Sequence, residues 1–261
     1  MIENFKFNKK FGQNFLSDRN LLDAIVSDAQ VSGEDVLEIG AGAGALTESL
    51  VKSAKKVVSF EIDKKLTEHL AEIENQHSNL KIIIDDALKM PIEEIEKNFE
   101  GQYHLVANLP YYITTPLIFK FLEETNRCKS LTVMVQKEVA ERFSAKNRSE
   151  GYGISSVMLS FYANSKITRN VSRNMFFPRP NVDSAVIRIE RKEVLPNVDR
   201  KKFKNIVSIS FSMRRKTLVN NLCKNFEKQK ILDALERLNK KENVRAEELS
   251  LEDFISLANI L

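Results

Sequence analysis

Cysteine and histidine are nearly missing from this sequence, with two and three residues among 261. Cys128 and Cys223 lie far apart and match no metal-ligand spacing, so they read as structural or incidental thiols in a reducing compartment. His69, His77 and His104 are scattered, with no carboxylate or cysteine pattern around them. Metal chemistry therefore has no candidate ligand set, and none is expected. Long apolar runs are lacking too. None approaches the length of a membrane span. The opening "MIENFKFNKKFGQNFL" has neither the continuous apolar core nor the small-residue cleavage site of a secretory leader. A cytoplasmic protein without a membrane partner is expected, long enough for one large domain or a large one plus a small one.

Charge is present in both signs but unevenly placed. The net charge is +4. Residues 200–230 carry ten Lys and Arg against Glu227 alone, whereas residues 1–199 sum to −2 and residues 231–261 to −3. A nearly neutral body with one basic segment is the footprint expected for a polyanion partner. A solvated helix face would give the same count.

Strand-like and helical runs alternate from about Val36. "DVLEIG", "KVVSFEID", "LKIIIDDA", "YHLVANLP" and "LTVMVQ" read as buried strands with helical segments between them. "GISSVMLSFYAN" reads as an amphipathic helix, and "SKITRNVS" and "DSAVIRIERK" as two late strands joined without a helix. This is the pattern of an α/β fold with a mostly parallel sheet, helices on both faces and an antiparallel edge. "KEVLPNVDR" (192–200) breaks the rhythm, and beyond it the periodicity is helical, with Ile206, Ile209 and Met213 recurring at three and four residues. The expected organisation is a large domain over 1–193 and a small helical one over 194–261.

"VLEIGAGAGALTESL" sets Gly40, Gly42 and Gly44 between a strand and a helix, where the backbone can turn tightly against a ligand. The pattern alone also fits a dinucleotide site or a plain tight turn. Glu61 ends the second strand about twenty residues on, where an acid can accept ribose hydroxyls. Asp86 follows the third strand, where a carboxylate can receive an adenine amine. Glu38 adds a negative charge beside the turn. A turn rimmed by carboxylates suits a cationic nucleoside better than a pyrophosphate, which favours S-adenosylmethionine (SAM) over NAD.

"ANLPYYIT" (107–114) ends the fourth strand with an amide, a proline and two tyrosines. Pro110 stops the strand there. An adenine amine is a poor nucleophile because its lone pair is delocalised into the ring. Two acceptors aimed at its N–H groups, the Asn108 side chain and the Leu109 carbonyl, would favour a pyramidal nitrogen and release that pair. Tyr111 would stack on the unstacked base.

Several segments in order carry a family resemblance: "GQNFL", "EIGAGAGALT", "FEID", "NLPYYITTPL", "VMVQKEVAERF", "FFPRPNVDSAVIRIE" and "SFSMRRKTLVNNL". From about Lys9 to Leu222 the chain resembles the ribosomal RNA adenine dimethyltransferases, most closely the bacterial small-subunit type. One departure is Ser155, where the family usually has Leu; a local helix-packing difference is expected. The resemblance implies a class I SAM-dependent methyltransferase with a Rossmann-like seven-stranded sheet, plus a small all-α C-terminal domain. It also implies that Asn14 and Leu16 close over SAM with Gln13 nearby, and that Phe176 stacks on the target adenine opposite Tyr111. Arg214, Arg215 and Lys216 would touch rRNA phosphates. The implied substrate is a pair of adjacent adenosines in the hairpin loop near the 3′ end of 16S rRNA, each dimethylated, with the small-subunit precursor as partner, a role in subunit maturation and a monomeric enzyme. The rival readings are a macrolide-resistance methyltransferase acting on 23S rRNA and a non-catalytic RNA-binding assembly factor.

Overall fold

Parallel strands covered on both faces have no polar side, so continuous apolar runs become the centre of a sheet. In the computed structural model, which describes residues 15–16 and 18–261, those runs do so. The first part of the chain runs β1 (Phe15–Leu16), α1 (Arg19–Ala29), β2 (Asp35–Ile39), α2 (Ala45–Val51), β3 (Lys56–Glu61), α3 (Thr67–Gln76) and β4 (Leu80–Ile84). It continues with α4 (Ile92–Glu96), β5 (Tyr103–Asn108), α5 (Tyr111–Glu123), β6 (Cys128–Gln136) and α6 (Lys137–Ser144). After α7 (Ile154–Tyr162) come β7 (Ala163–Val171), β8 (Phe176–Phe177) and β9 (Ser184–Arg191).

Seven strands form one sheet in the order β4-β3-β2-β5-β6-β9-β7. The run from β4 to β6 is parallel, and β9 lies antiparallel to β6. The late antiparallel pairing foreseen in the sequence is therefore present. Chain order reverses between β2 and β5, and in open α/β sheets that switch opens a crevice outside the carboxyl ends of the strands. Ile39 sits beside Ala107 there, so the residues after each strand emerge together. A separate two-stranded pairing joins β1 to β8, with Leu16 opposite Phe176.

The chain divides into two compact units, residues 1–140 with 166–191 and residues 141–165 with 192–261. The second junction falls close to the expected cut at residue 194. The first does not: residues 141–165, expected in the large domain, fall in the second unit. They join the second unit because α7 is apolar on most of its surface and finds its partners among the C-terminal helices. These are α8 (Arg200–Ser210), α9 (Leu218–Leu222), α10 (Lys228–Arg237) and α11 (Leu251–Ile260). Phe161 packs on Phe203 with ring centroids 4.6 Å apart. The Tyr152 hydroxyl donates to the Leu249 carbonyl at 2.9 Å. Ser155, the departure from the resembled pattern, is a partly exposed residue in the first turn of α7.

Helical periodicity overran one boundary. α8 stops at Ser210, and Met213 is exposed in the turn that follows. The turn is held by Asn221, which is buried and donates its amide to the Ser210 carbonyl at 2.7 Å and the Met213 carbonyl at 3.2 Å. No helix among the described residues is long and apolar enough to cross a membrane.

Replacing Asn221 by Ala leaves the buried Ser210 carbonyl without that donor. Urea unfolding should show a loss of about 1–3 kcal/mol, whereas Asn220→Ala, at an exposed neighbour, should lose much less.

Candidate active site

Gly40, with φ of +84°, opens the turn after β2, and a β-carbon there would stand 2.9 Å from the Leu109 side chain. The turn folds back on β3 through Gly40 N–H to the Phe60 carbonyl, 2.8 Å. Gly44, φ +82°, begins α2 where a β-carbon would meet Ile73 at 2.3 Å. From α3, His69 places Nε2 at 3.1 Å from the Ala43 carbonyl, a contact that no local signal announces. The glycine turn is thus a packed object with contacts on several sides.

The carboxylates around it divide into two kinds. Glu61 is nearly buried at the end of β3. It accepts N–H groups from Gly42 at 2.7 Å, Ile62 at 2.9 Å and Asp63 at 2.8 Å. Burial pushes its pKa up while these bonds pull it down. Three of roughly four lone-pair directions are taken, so one remains. Asp86, after β4, accepts the Leu88 N–H at 3.1 Å and pairs with Lys89 at 3.4 Å. Asp85 stands beside it on the cavity wall.

Glu38 differs from its expected place. It is not a rim charge but a completely buried group that does not line the cavity. Its position on β2, a strand paired in parallel on both sides, turns it into the core, where Thr47 Oγ1 (2.6 Å) and Ser59 Oγ (2.7 Å) donate to one carboxyl oxygen. The other oxygen has no hydrogen-bond partner among the described residues. Burial raises its pKa from 4.5 to about 7. The rim's negative charge therefore comes from Glu61, Asp85 and Asp86.

Asn108 is the last residue of β5, beside Met134 of β6. Its side-chain amide makes no hydrogen bond among the described residues and lines the cavity. Ile113 N–H and the Thr114 hydroxyl both donate to the Pro110 carbonyl, at 3.2 Å each, rather than to that of Leu109. Pro110 thus starts α5 and leaves the two preceding acceptors at the strand end. The Tyr111 hydroxyl lies 2.7 Å from Ser184 Oγ, at the start of β9. Ser184 is wholly buried and paired with Gln136, so it anchors the phenol to the sheet. Burial raises the Tyr111 pKa, and the ring stays neutral. This anchor spans 73 residues and no local signal announces it.

These parts surround one cavity of about 400 Å³, within the range of small-molecule sites. Leu16, Gly40, Gly42, Glu61, Asp86, Asn108, Leu109, Pro110, Tyr111 and Phe176 all line it. Leu16 and Phe176 arrive through the β1–β8 pairing. Gln13 and Asn14 lie outside the described residues. Among the described residues no cluster of His, Cys, Asp or Glu is arranged to hold a metal ion. His104 is buried in the sheet, with Nδ1 2.7 Å from Ser130 Oγ, and burial lowers its pKa.

In the second unit, Arg214, Arg215 and Lys216 are exposed in the turn between α8 and α9. Arg214 also donates to the Tyr152 carbonyl at 3.2 Å, which binds that turn to the segment before α7.

The family model described as ribosomal RNA adenine dimethylase matches residues 4–261. Ribosomal RNA small subunit methyltransferase A of Clostridium botulinum strain Langeland is 46% identical over 262 residues, covering 98% of this chain and 94% of that protein. The protein of the same name from Bacillus mycoides strain KBAB4 is 45% identical, with 98% and 92% covered. Among solved structures, a dimethyladenosine transferase from Plasmodium falciparum superposes with a TM-score of 0.81 at 30% identity, covering 93% and 95% of the two chains. The 23S rRNA methyltransferase ErmE superposes at 0.75 with 24% identity, covering 95% and 99%, a likeness of fold.

Glu38 holds its proton more tightly when folded than when unfolded. Its contribution to stability is therefore complete below about pH 4.5 and is lost as pH rises through about 7. The cost at alkaline pH is about 3 kcal/mol. In urea unfolding, Glu38→Gln should gain on the unsubstituted protein by about 2–3 kcal/mol between pH 5 and pH 8. A gap equal at both pH values would show that Glu38 does not titrate.

Proposed function

This chain belongs to the ribosomal RNA adenine dimethylase family, and from that premise we propose how its cavity works and on what. The protein is a SAM-dependent adenine dimethyltransferase of 16S rRNA. It acts on the exocyclic amines of two adjacent adenosines in the 3′-terminal hairpin loop, where bases are accessible without opening a duplex. The observation that carries this reading is the Asn108 amide, without a hydrogen bond among the described residues, held at the strand end beside the glycine turn and within one cavity with Tyr111 and Phe176.

Gly40 and Gly42 form the floor for the donor, Glu61 offers its remaining acceptor direction to a ribose hydroxyl, and Asp86 receives the adenine amine. Leu16 covers it. The donor supplies an electrophilic methyl group on a sulfonium. The Asn108 side-chain oxygen and the Leu109 carbonyl accept the two N–H groups of the target amine, drawing nitrogen toward a tetrahedral shape with its lone pair free. Tyr111 and Phe176 hold the base between them, and the neutral Tyr111 ring face favours the positive charge that develops on nitrogen. The amine becomes cationic first and loses its proton afterwards, so no dedicated base is needed, and the leaving group is a neutral thioether, so no metal is needed. Alignment supplies most of the acceleration. A dimethylated amine has no N–H left for the two acceptors, which ends the reaction at two methyl groups.

Arg215 and Lys216, with Arg214 bracing their turn, contact rRNA phosphates from the helical unit. We place the protein in the cytoplasm as a monomer working on the small-subunit precursor, with a part in its maturation. The 23S alternative is not favoured: the relatives at 45–46% identity carry the small-subunit name, whereas the 23S enzyme is alike in fold at 24%. A non-catalytic assembly factor would have no use for an Asn108 amide turned into a SAM-sized cavity.

Labelled SAM incubated with unmethylated small subunits should deliver label to two adjacent adenosines of the 3′-terminal loop. Asn108→Ala should lower that rate about a hundredfold or more, the scale for loss of one preorganised polar group, while particle binding persists. Near-normal methylation by the variant would remove Asn108 from the mechanism.

Reversing both charges in Arg215→Glu/Lys216→Glu should weaken small-subunit binding and reduce its dependence on log salt by about two, one for each phosphate contact. Donor affinity, measured by calorimetry, should not change. Equal subunit binding at moderate salt would exclude the basic turn from the interface.

A further inference from the structure

Five tyrosines occur in the chain, and one of them is placed unlike the rest. Tyr103 and Tyr152 are buried with their hydroxyls bonded to Glu96 and to the Leu249 carbonyl, Tyr162 is buried, and Tyr111 is anchored on Ser184. Tyr112 is 66% exposed. Its hydroxyl makes no hydrogen bond among the described residues. Its direction is nonetheless fixed. The first turn of α5 is pinned by Pro110, by Thr114 on the Pro110 carbonyl and by the Tyr111–Ser184 contact. One residue further along a helix turns about 100°, so Tyr112 points away from the anchored Tyr111 while still lining the cavity.

Its surroundings give this exposure a meaning. The exposed large apolar side chains among the described residues of the first unit are Ile62, Tyr112, Phe177 and Val182. Ile62 directly follows β3, Tyr112 follows β5, and Phe177 and Val182 lie in the segment that leads into β9. Of these, Ile62 and Tyr112 line the cavity itself. Exposed apolar side chains on the wall of a site suit a surface used for binding.

We propose that Tyr112 is a stacking platform for the nucleobase next to the adenine undergoing methylation. This rests on the function proposed above. A single-stranded loop that gives one base to the cavity leaves the adjacent base unstacked and tethered one phosphate away. An aromatic face at the rim restores the lost stacking whichever base is presented. Such contacts are sequence-tolerant and strong enough to be measured singly. The platform also suits a substrate of two adjacent targets: while one adenine reacts, the other rests on Tyr112.

The test is a binding cycle with synthetic RNA hairpins that carry two adjacent loop adenosines. The nucleotide on the 5′ side or the 3′ side of the target is either intact or abasic, and fluorescence anisotropy reads the affinity. Tyr112→Ala should weaken binding of the intact hairpin about five- to a hundredfold, the scale of one base–aromatic stack. The abasic change on one side should weaken the unsubstituted protein similarly, and the two changes together should cost little more than either alone. Tyr112→Phe, which keeps the ring, should bind as the unsubstituted protein does. Additive losses on both sides, or an affinity indifferent to the neighbouring base, would overturn the platform alone. Failure of the unsubstituted protein to methylate unmethylated small subunits would instead overturn the function proposed above, and the platform with it.

Discussion

A β-carbon at residue 40 would stand 2.9 Å from the end of the Leu109 side chain, closer than such atoms pack. That contact joins two turns that arise far apart in the chain, one after β2 and one after β5, and it exists because these strands are neighbours at the point where strand order reverses. The glycine turn and the end of β5 are consequently parts of one packed object. A side chain at position 40 would need a left-handed backbone and would also push the Leu109 side chain aside. Catalysis by alignment needs this stiffness, because a misplacement of about an ångström is enough to lose most of the rate.

Around that junction the charges are distributed by depth. Glu61 is held by three backbone N–H groups, so the turn and the acid fix each other's positions before any ligand arrives. Glu38, one strand position before the turn, is buried and satisfied on one oxygen only. The strain of burying it opposes stability at neutral pH and above. A carboxyl kept partly protonated adds little to the field in the cavity, which leaves Glu61, Asp85 and Asp86 to set its negative rim. Tyr111 shows the same economy of position: its hydroxyl is used up in anchoring to Ser184 while the residue lines the cavity.

The helical unit solves a different problem. Its basic turn follows α8 and is shaped by a buried amide, Asn221, and by Arg214 on the Tyr152 carbonyl. Exposed cations gain affinity for a polyanion when their backbone is held, because less freedom is lost on binding. The segment at residues 141–165 belongs to this unit through α7, whose apolar surface packs on α8 and α11.

Local chemistry was legible in the sequence. The strand and helix alternation, the glycine turn, the acids at successive strand ends and the Asn-Leu-Pro-Tyr turn each follow from rules that act over a few residues, and their order named the fold class, the donor and the reacting group. The long-range facts were not legible. Glu38 looked like a rim charge because sequence shows strand position but not which way a side chain faces in a sheet covered on both sides. Ser184, Asn221 and His69 have roles defined by partners brought near only by folding. The cut at residue 194 was read from a proline and a change of period, but the entry of residues 141–165 into the other unit depended on which apolar face met which. Sequence determines what each segment can become; only packing decides which of its polar groups are used inside the fold and which are left on the cavity wall.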